Sequence, residues 1–292
     1  MAAPLLPGIF RRLERAQVNF LNLHGQFTEH FSHPENQCRL MPAFTSADEG
    51  EIRAEIREPL PESWSLLVSD IVCDLRFVLD NLAYELVIAN TGIDPPPNAR
   101  AIEFPILAKG KVTPGSSRAI EQMEPWVQRL IESMQPYHDI AAGTLPQNQA
   151  LLALNEMCNT YKHRLLVPVL VKVESAKLTI TTHHCTVSDI AQVEDLHEVK
   201  NGSTIATFRV NRHTDEATVD IETQPFTGLG FPAGVFAEFN NIIDFSTKEI
   251  HIVRAIVAAL TEIQWGSPMD LPEAAPYFVT PLAVTVPNPY GP

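Results

Sequence analysis

Apolar residues recur every three or four positions through 8–32, at Phe10, Leu13, Ala16, Phe20 and Leu23, with charges between them. This is the spacing of an amphipathic surface helix that turns one stripe toward a core. CRLMPAF (38–44) and EIRAEIRE (51–58) are then predicted as short strands around the turn-rich SADEG. In the second, Ile52, Ala54 and Ile56 alternate with Arg53, Glu55 and Arg57. A period of two predicts a sheet with one wet face.

Pro59 and Pro61 punctuate the chain, and Ser63 is placed to cap a helix running to about Asn90. Val68, Ile71, Leu75, Val78, Leu82 and Leu86 give it an apolar face. Asp70, Asp74, Asn81 and Glu85 form a carboxylate-rich stripe expected to be solvated, with Arg76, Asp80 and Tyr84 as a ridge beside it. Gly92 and the proline run 95–97 end the helix, and EFPIL (103–107) reads as an extended piece. Helical periodicity returns from Ser117 to Met134, where Pro125 either kinks the helix or opens a second one. A further helix runs from near Pro146 to His163 and buries Leu151, Leu154, Cys158, Tyr161 and Leu165.

After Arg164 the period changes. LLVPVLVKV, KLTITTHH, STIATFRV and ATVDIET are β-branched runs separated by turn signals, which predict an antiparallel meander. VFAEF (235–239) adds a further strand, and Ser246-Thr-Lys-Glu249 reads as a capping box opening a helix that stops at Gly266. The predicted fold class is α+β. A helical bundle part over about 8–163 joins a mainly antiparallel β-sheet and a C-terminal helix over about 164–265. Residues 1–265 are expected as one interlocked domain, and 266–292, with seven prolines, as a C-terminal arm.

Charge narrows the function classes. Lys+Arg number 21 against 35 Asp+Glu, a net charge of −14, which disfavours bulk nucleic-acid binding. No stretch approaches the ~18 uninterrupted apolar residues of a membrane span, and the N-terminus lacks the basic-then-apolar order of a signal peptide. Cys38, Cys73, Cys158 and Cys185 are far apart with no CxxC, so reduced thiols and a cytoplasmic location are expected. Dinucleotide, P-loop, hydrolase and zincin motifs are absent, and no cofactor is expected. His183, His184 and Cys185 alternate across a strand while His197 and His213 stand alone, so no metal is expected.

The densest polar grouping is Arg76, Asp80, Asn81 and Tyr84 on one helix with Asn159, Lys162, His163 and Arg164 at a helix-to-strand join. One reading makes this a site, with His163 as general base or phosphate ligand and hydrogen bonds from Asn159 and His163 to the earlier helix. The other is structural. Arg76 and Asp80 pair four apart, and the cations of the last turn meet the helix dipole.

The residues DLRFVLDNLAYELV, FPI, QPY and LNEMCNTYKHRLLVPV carry a resemblance. The chain resembles a widespread group of uncharacterised bacterial proteins with a Leu-Arg-x3-Asp helix, an FPI segment, a QPY helix end and an Asn-x-x-Lys-His-Arg junction. The likeness is dense over 70–170 and implies the fold and the place of the site, at Arg76, Asp80, Asn81, Asn159, Lys162, His163 and Arg164. Members of the group often carry His where this chain has Asn81 and Asp where it has Tyr161. There is also a weaker similarity to HEPN-type ribonuclease helices, whose Arg-x4-His pattern cuts RNA at a helical dimer interface. Here Arg76 is followed by Asn81 at the histidine position, and an amide cannot exchange a proton at neutral pH.

The function expected is that of a non-catalytic binding or regulatory protein whose partner is a protein or a small-molecule ligand, with a homodimer allowed. The alternative is a HEPN-like ribonuclease or toxin, or a degenerate descendant acting on RNA. A small-molecule enzyme using His163 ranks third.

Overall fold

The computed structural model describes residues 7–56, 58–108, 120–138, 149–163, 170–192, 199–230, 242–261 and 283–285. The architecture is mixed α+β. The chain separates into two compact units, with boundaries after His24 and before Ser65.

The first unit is helical. Helix α1 (Pro7–Ser32) contributes its N-terminal part and buries Ile9, Leu13, Ala16, Phe20 and Leu23, the stripe its periodicity predicts. Helix α2 (Glu62–Thr91) is apolar on more than one face, so that Ile71, Val72, Leu75, Val78, Leu79, Leu82, Ala83 and Val87 are all buried. It stops at Gly92, which takes φ 68° and gives its N–H to the Ile88 carbonyl at 2.7 Å. Only glycine enters that left-handed conformation without a Cβ penalty. Pro125 opens helix α3 (Pro125–Ser133), sitting in the first turn where a missing N–H costs nothing. Helix α4 spans Gln149–His163.

Helix α5 (Ile242–Thr261) begins before the predicted capping box, leaving Ser246 and Glu249 inside it and buried. Ile242, Ile243 and Phe245 are buried as well and extend the apolar stripe upstream. Packing of that stripe outweighs the local cap signal.

The second unit holds the strands β1 (Arg39–Phe44), β2 (Glu49–Glu55), β3 (Leu170–His183), β4 (Cys185–Gln192), β5 (Thr204–Arg212), β6 (Thr218–Gly230) and β7 (Ala283–Thr285). They form a four-stranded sheet in the order β1-β2-β5-β4 and a three-stranded one in the order β6-β3-β7. All pairs are antiparallel except β3 with β7. The expected sequential meander is therefore broken in two places. The 14-residue β3 takes the 13-residue β6 as its antiparallel partner, matching length with length, and β5 is completed by the early strand β2. One apolar cluster, including Leu40, Ile52, Ala54, Ile180, Ile205, Phe208, Val210 and Ile221, draws on both sheets. The strand predicted at 235–239, the end of the last helix toward Gly266, and nearly all of the arm 266–292 lie outside the described residues.

Candidate functional site

Because α2 is apolar nearly all round, each polar group it carries into the core needs a partner. Arg76 is 5% exposed. Its guanidinium pairs with Asp80 at 3.0 Å and donates to the Phe104 carbonyl at 3.0 Å. Asp80 in turn accepts the Phe104 N–H at 3.0 Å. Gln135, just beyond α3 and buried, continues the same work. Its amide accepts the Leu107 N–H and donates to the Pro105 and Ile131 carbonyls, all at 3.0 Å. The segment 103–107 belongs to no sheet, so these side chains satisfy the backbone groups that a neighbouring strand would otherwise take. Burial pushes the Asp80 carboxyl up, opposed by the Arg76 charge and the Phe104 N–H.

Asp74 is fully buried, not solvated as its stripe suggested. Arg15 of α1 grips both its oxygens and Arg12 lies at 3.4 Å, while Asp70 next to it stays exposed. The two arginines reach over from α1, and no α2 periodicity could have signalled them.

The third polar group lies where α4 meets α2. Cys158 of α4 is buried and its sulfur is 3.9 Å from that of Cys73, which is partly exposed. Lys162 follows Cys158 by one helical turn and holds its ammonium 5.3 Å from the Phe77 ring centre, within cation–π range. Arg12 lies over the same ring at 5.2 Å. The hydrogen bond with Cys73, with the Lys162 and Arg76 charges, draws Cys158 down to about 7 against its burial. Cys73 is pushed up, first by that shared hydrogen bond and then by burial. The Tyr161 hydroxyl is buried with no hydrogen-bond partner among the described residues, and burial raises it.

The structure thus brings together Arg76 and Asp80, with Lys162 near enough to act on the Asp80 charge. Asn81 and Asn159 are both exposed, and among the described residues neither makes a hydrogen bond to the other helix. The expected bond from Asn159 to α2 is not among those formed. Tyr84 is half-buried on α2. His163 ends α4 with its side chain outside the described residues, and Arg164 lies wholly outside them.

Sequence reasoning missed Gln135 as a backbone clamp and read Cys73 and Cys158 as reduced thiols far apart from each other. The four-residue step from Cys158 to Lys162 was the available signal for the latter, since it stacks cation on thiol.

A further concave candidate is a groove on the four-stranded sheet, lined by Thr45, Glu49, Glu51, Asp189, Phe208 and Arg209 among others. Its charges answer one another. Arg209 meets Glu49 at 3.3 Å and Asp189 at 3.7 Å, and Glu51 is held by Arg53 and Thr204. Among the described residues no group of three or more His, Cys, Asp or Glu side chains is placed to hold a metal ion, and no helix is long and apolar enough to cross a membrane. No family model, no curated protein and no solved structure matches this chain.

Proposed function

We propose that the chain is a cytoplasmic binding or regulatory protein with no catalytic activity of its own. The observation that carries this reading is the commitment of Arg76. A catalytic arginine must reach a substrate phosphate, but this one is buried and spends its donors on Asp80 and the Phe104 carbonyl. Asn81, where a HEPN-type histidine would stand, is exposed and is an amide. Four free cysteines fit a reducing compartment.

The test is incubation of the purified full-length protein with single-stranded RNA, with and without divalent cations. The expected result is no cleavage above background, and no gain in Arg76→Ala. Robust metal-independent cleavage, lost in Arg76→Ala with the fold intact by circular dichroism, would make the HEPN-like ribonuclease the better reading. Cleavage gained in Asn81→His would assign the chain to a degenerate descendant of such an enzyme.

A further inference from the structure

We propose that Cys73 and Cys158 form a peroxide-responsive dithiol, closing to a reversible disulfide that ties α2 to α4. The inference is independent of the non-catalytic reading, because it needs neither a substrate nor the Arg76 clamp.

The geometry comes first. The two sulfurs are 3.9 Å apart although they are 85 residues apart in the chain. A disulfide bond is ~2.05 Å long, so the sulfurs must close about 2 Å, a distance that χ1 rotation and slight helix movement can supply. The surroundings are not those of inert core thiols. Lys162 lies one turn from Cys158, its ammonium over the Phe77 ring and near enough for its charge to favour the Cys158 thiolate. The Tyr161 hydroxyl stands buried beside the pair, without a partner among the described residues and close enough for the Cys73 charge to act on it.

The other cysteines give the contrast. Burial pushes Cys38 up to about 11, and the Cys185 thiol is engaged with the Thr218 carbonyl at 3.2 Å. Only the Cys73–Cys158 pair combines a neighbouring cation with a second sulfur in reach. A thiol held near a lysine is the one that carries thiolate at neutral pH, and the thiolate is the reacting form.

The step balances with hydrogen peroxide as oxidant. At rest the pair's one proton sits on Cys73 and Cys158 carries the thiolate; the proton passes along the hydrogen bond to Cys158, which leaves the negative charge on the partly exposed Cys73. Its thiolate attacks one peroxide oxygen. The S–O bond forms, the O–O bond breaks, and hydroxide leaves, giving Cys73 sulfenic acid. That hydroxide takes the proton from Cys158 to become water. The Cys158 thiolate then attacks the Cys73 sulfur, the S–S bond forms, and a second hydroxide departs. One thiolate, one thiol and one peroxide become one disulfide, one water and one hydroxide. The two sulfurs lose two electrons and the peroxide gains them. Lys162 holds the negative charge on the pair throughout.

The experiment treats the full-length protein with an excess of hydrogen peroxide at pH 7, then counts thiols under denaturing conditions and maps digested peptides by mass spectrometry. The expected result is a fall from four thiols to two, a cross-linked peptide pair containing Cys73 and Cys158, and recovery of four thiols with dithiothreitol. In Cys158→Ala the cross-link is lost and a cyclic diketone traps sulfenic acid on Cys73. Lys162→Met keeps the aliphatic stem but removes the charge. If the loss returns the pair about one unit toward an ordinary thiol, oxidation at pH 7 slows roughly fivefold. Four thiols surviving the oxidant, a disulfide involving Cys38 or Cys185, or a bond between two molecules would each overturn the proposal. The peptide map of the unaltered protein decides this even where a variant fails to fold. An unchanged rate in folded Lys162→Met would overturn the role given to Lys162.

Discussion

Arg76 and Asp80, one helical turn apart on α2, close on the same residue from both sides. Asp80 takes the Phe104 N–H, Arg76 donates to the Phe104 carbonyl, and the two side chains pair with each other at 3.0 Å. The arrangement explains why a charged pair sits in an apolar helix. It anchors an extended segment that has no strand to lie against.

Removing Arg76 strands a largely buried carboxylate and an unanswered carbonyl together. Arg76→Ala is expected to cost about 3 kcal/mol in urea unfolding, in the range for breaking one side of a buried pair. Asp80→Asn keeps an acceptor for the Phe104 N–H and should cost clearly less. The double variant should lose less than the sum of the two singles, since each already breaks the same bridge. Additive losses would show that the two residues do not act as one clamp.

Much of this was legible in the sequence, and the failures share a cause. The α1 stripe, the Ile52/Ala54 alternation and the stop at Gly92 are local signals, and each holds, while Pro125 takes the second of its two readings and opens a helix. The pairing of α2 with an extended FPI segment and with the KHR helix is partly visible in its polar residues. Partners supplied from distant chain are not. Asp74 looked solvated because its own helix gives no hint that Arg12 and Arg15 cover it. The sheets were read as one meander because sequence neighbours pair by default, whereas β2 and β6 are chosen across long separations. Ser246 and Glu249 matched a capping box, yet the apolar residues upstream carry the helix past it.

Glu249 makes a pH-dependent test. It is fully buried on α5, its two carboxyl oxygens have no hydrogen-bond partner among the described residues, and burial raises its pKa well above the usual carboxylate range. The folded state therefore holds this proton more tightly than the unfolded chain, where Glu titrates near ~4.3. The favourable contribution is complete below that value and is lost as pH rises toward the folded-state pKa. Glu249→Gln has no charge to lose. Its melting temperature should exceed that of the unaltered protein at pH 8, and the two should converge near pH 4. Parallel curves across that range would mean that Glu249 finds a partner or opens to water when ionised.

Gly50 and Phe208 test the sheet unit. They face each other across the β2–β5 ladder, and the Phe208 ring lies over the glycine where a side chain would stand. A Cβ at position 50 would overlap the ring, which is itself buried and packed edge-on against Phe44 at 5.7 Å. The ring cannot swing away without leaving the apolar cluster that includes Ile52 and Val210. Gly50→Ala is therefore expected to destabilise the protein by about 2 kcal/mol, the scale of overpacking in a filled core, despite the better strand propensity of alanine. Phe208→Leu alone should also destabilise, by lost burial. Combined, the two should recover part of the loss, because a smaller side chain makes room for the new methyl. Urea midpoints for the two singles and the double measure this directly. A Gly50→Ala variant as stable as the unaltered protein would show that the ring does not need the space above glycine, and the double variant would then gain nothing.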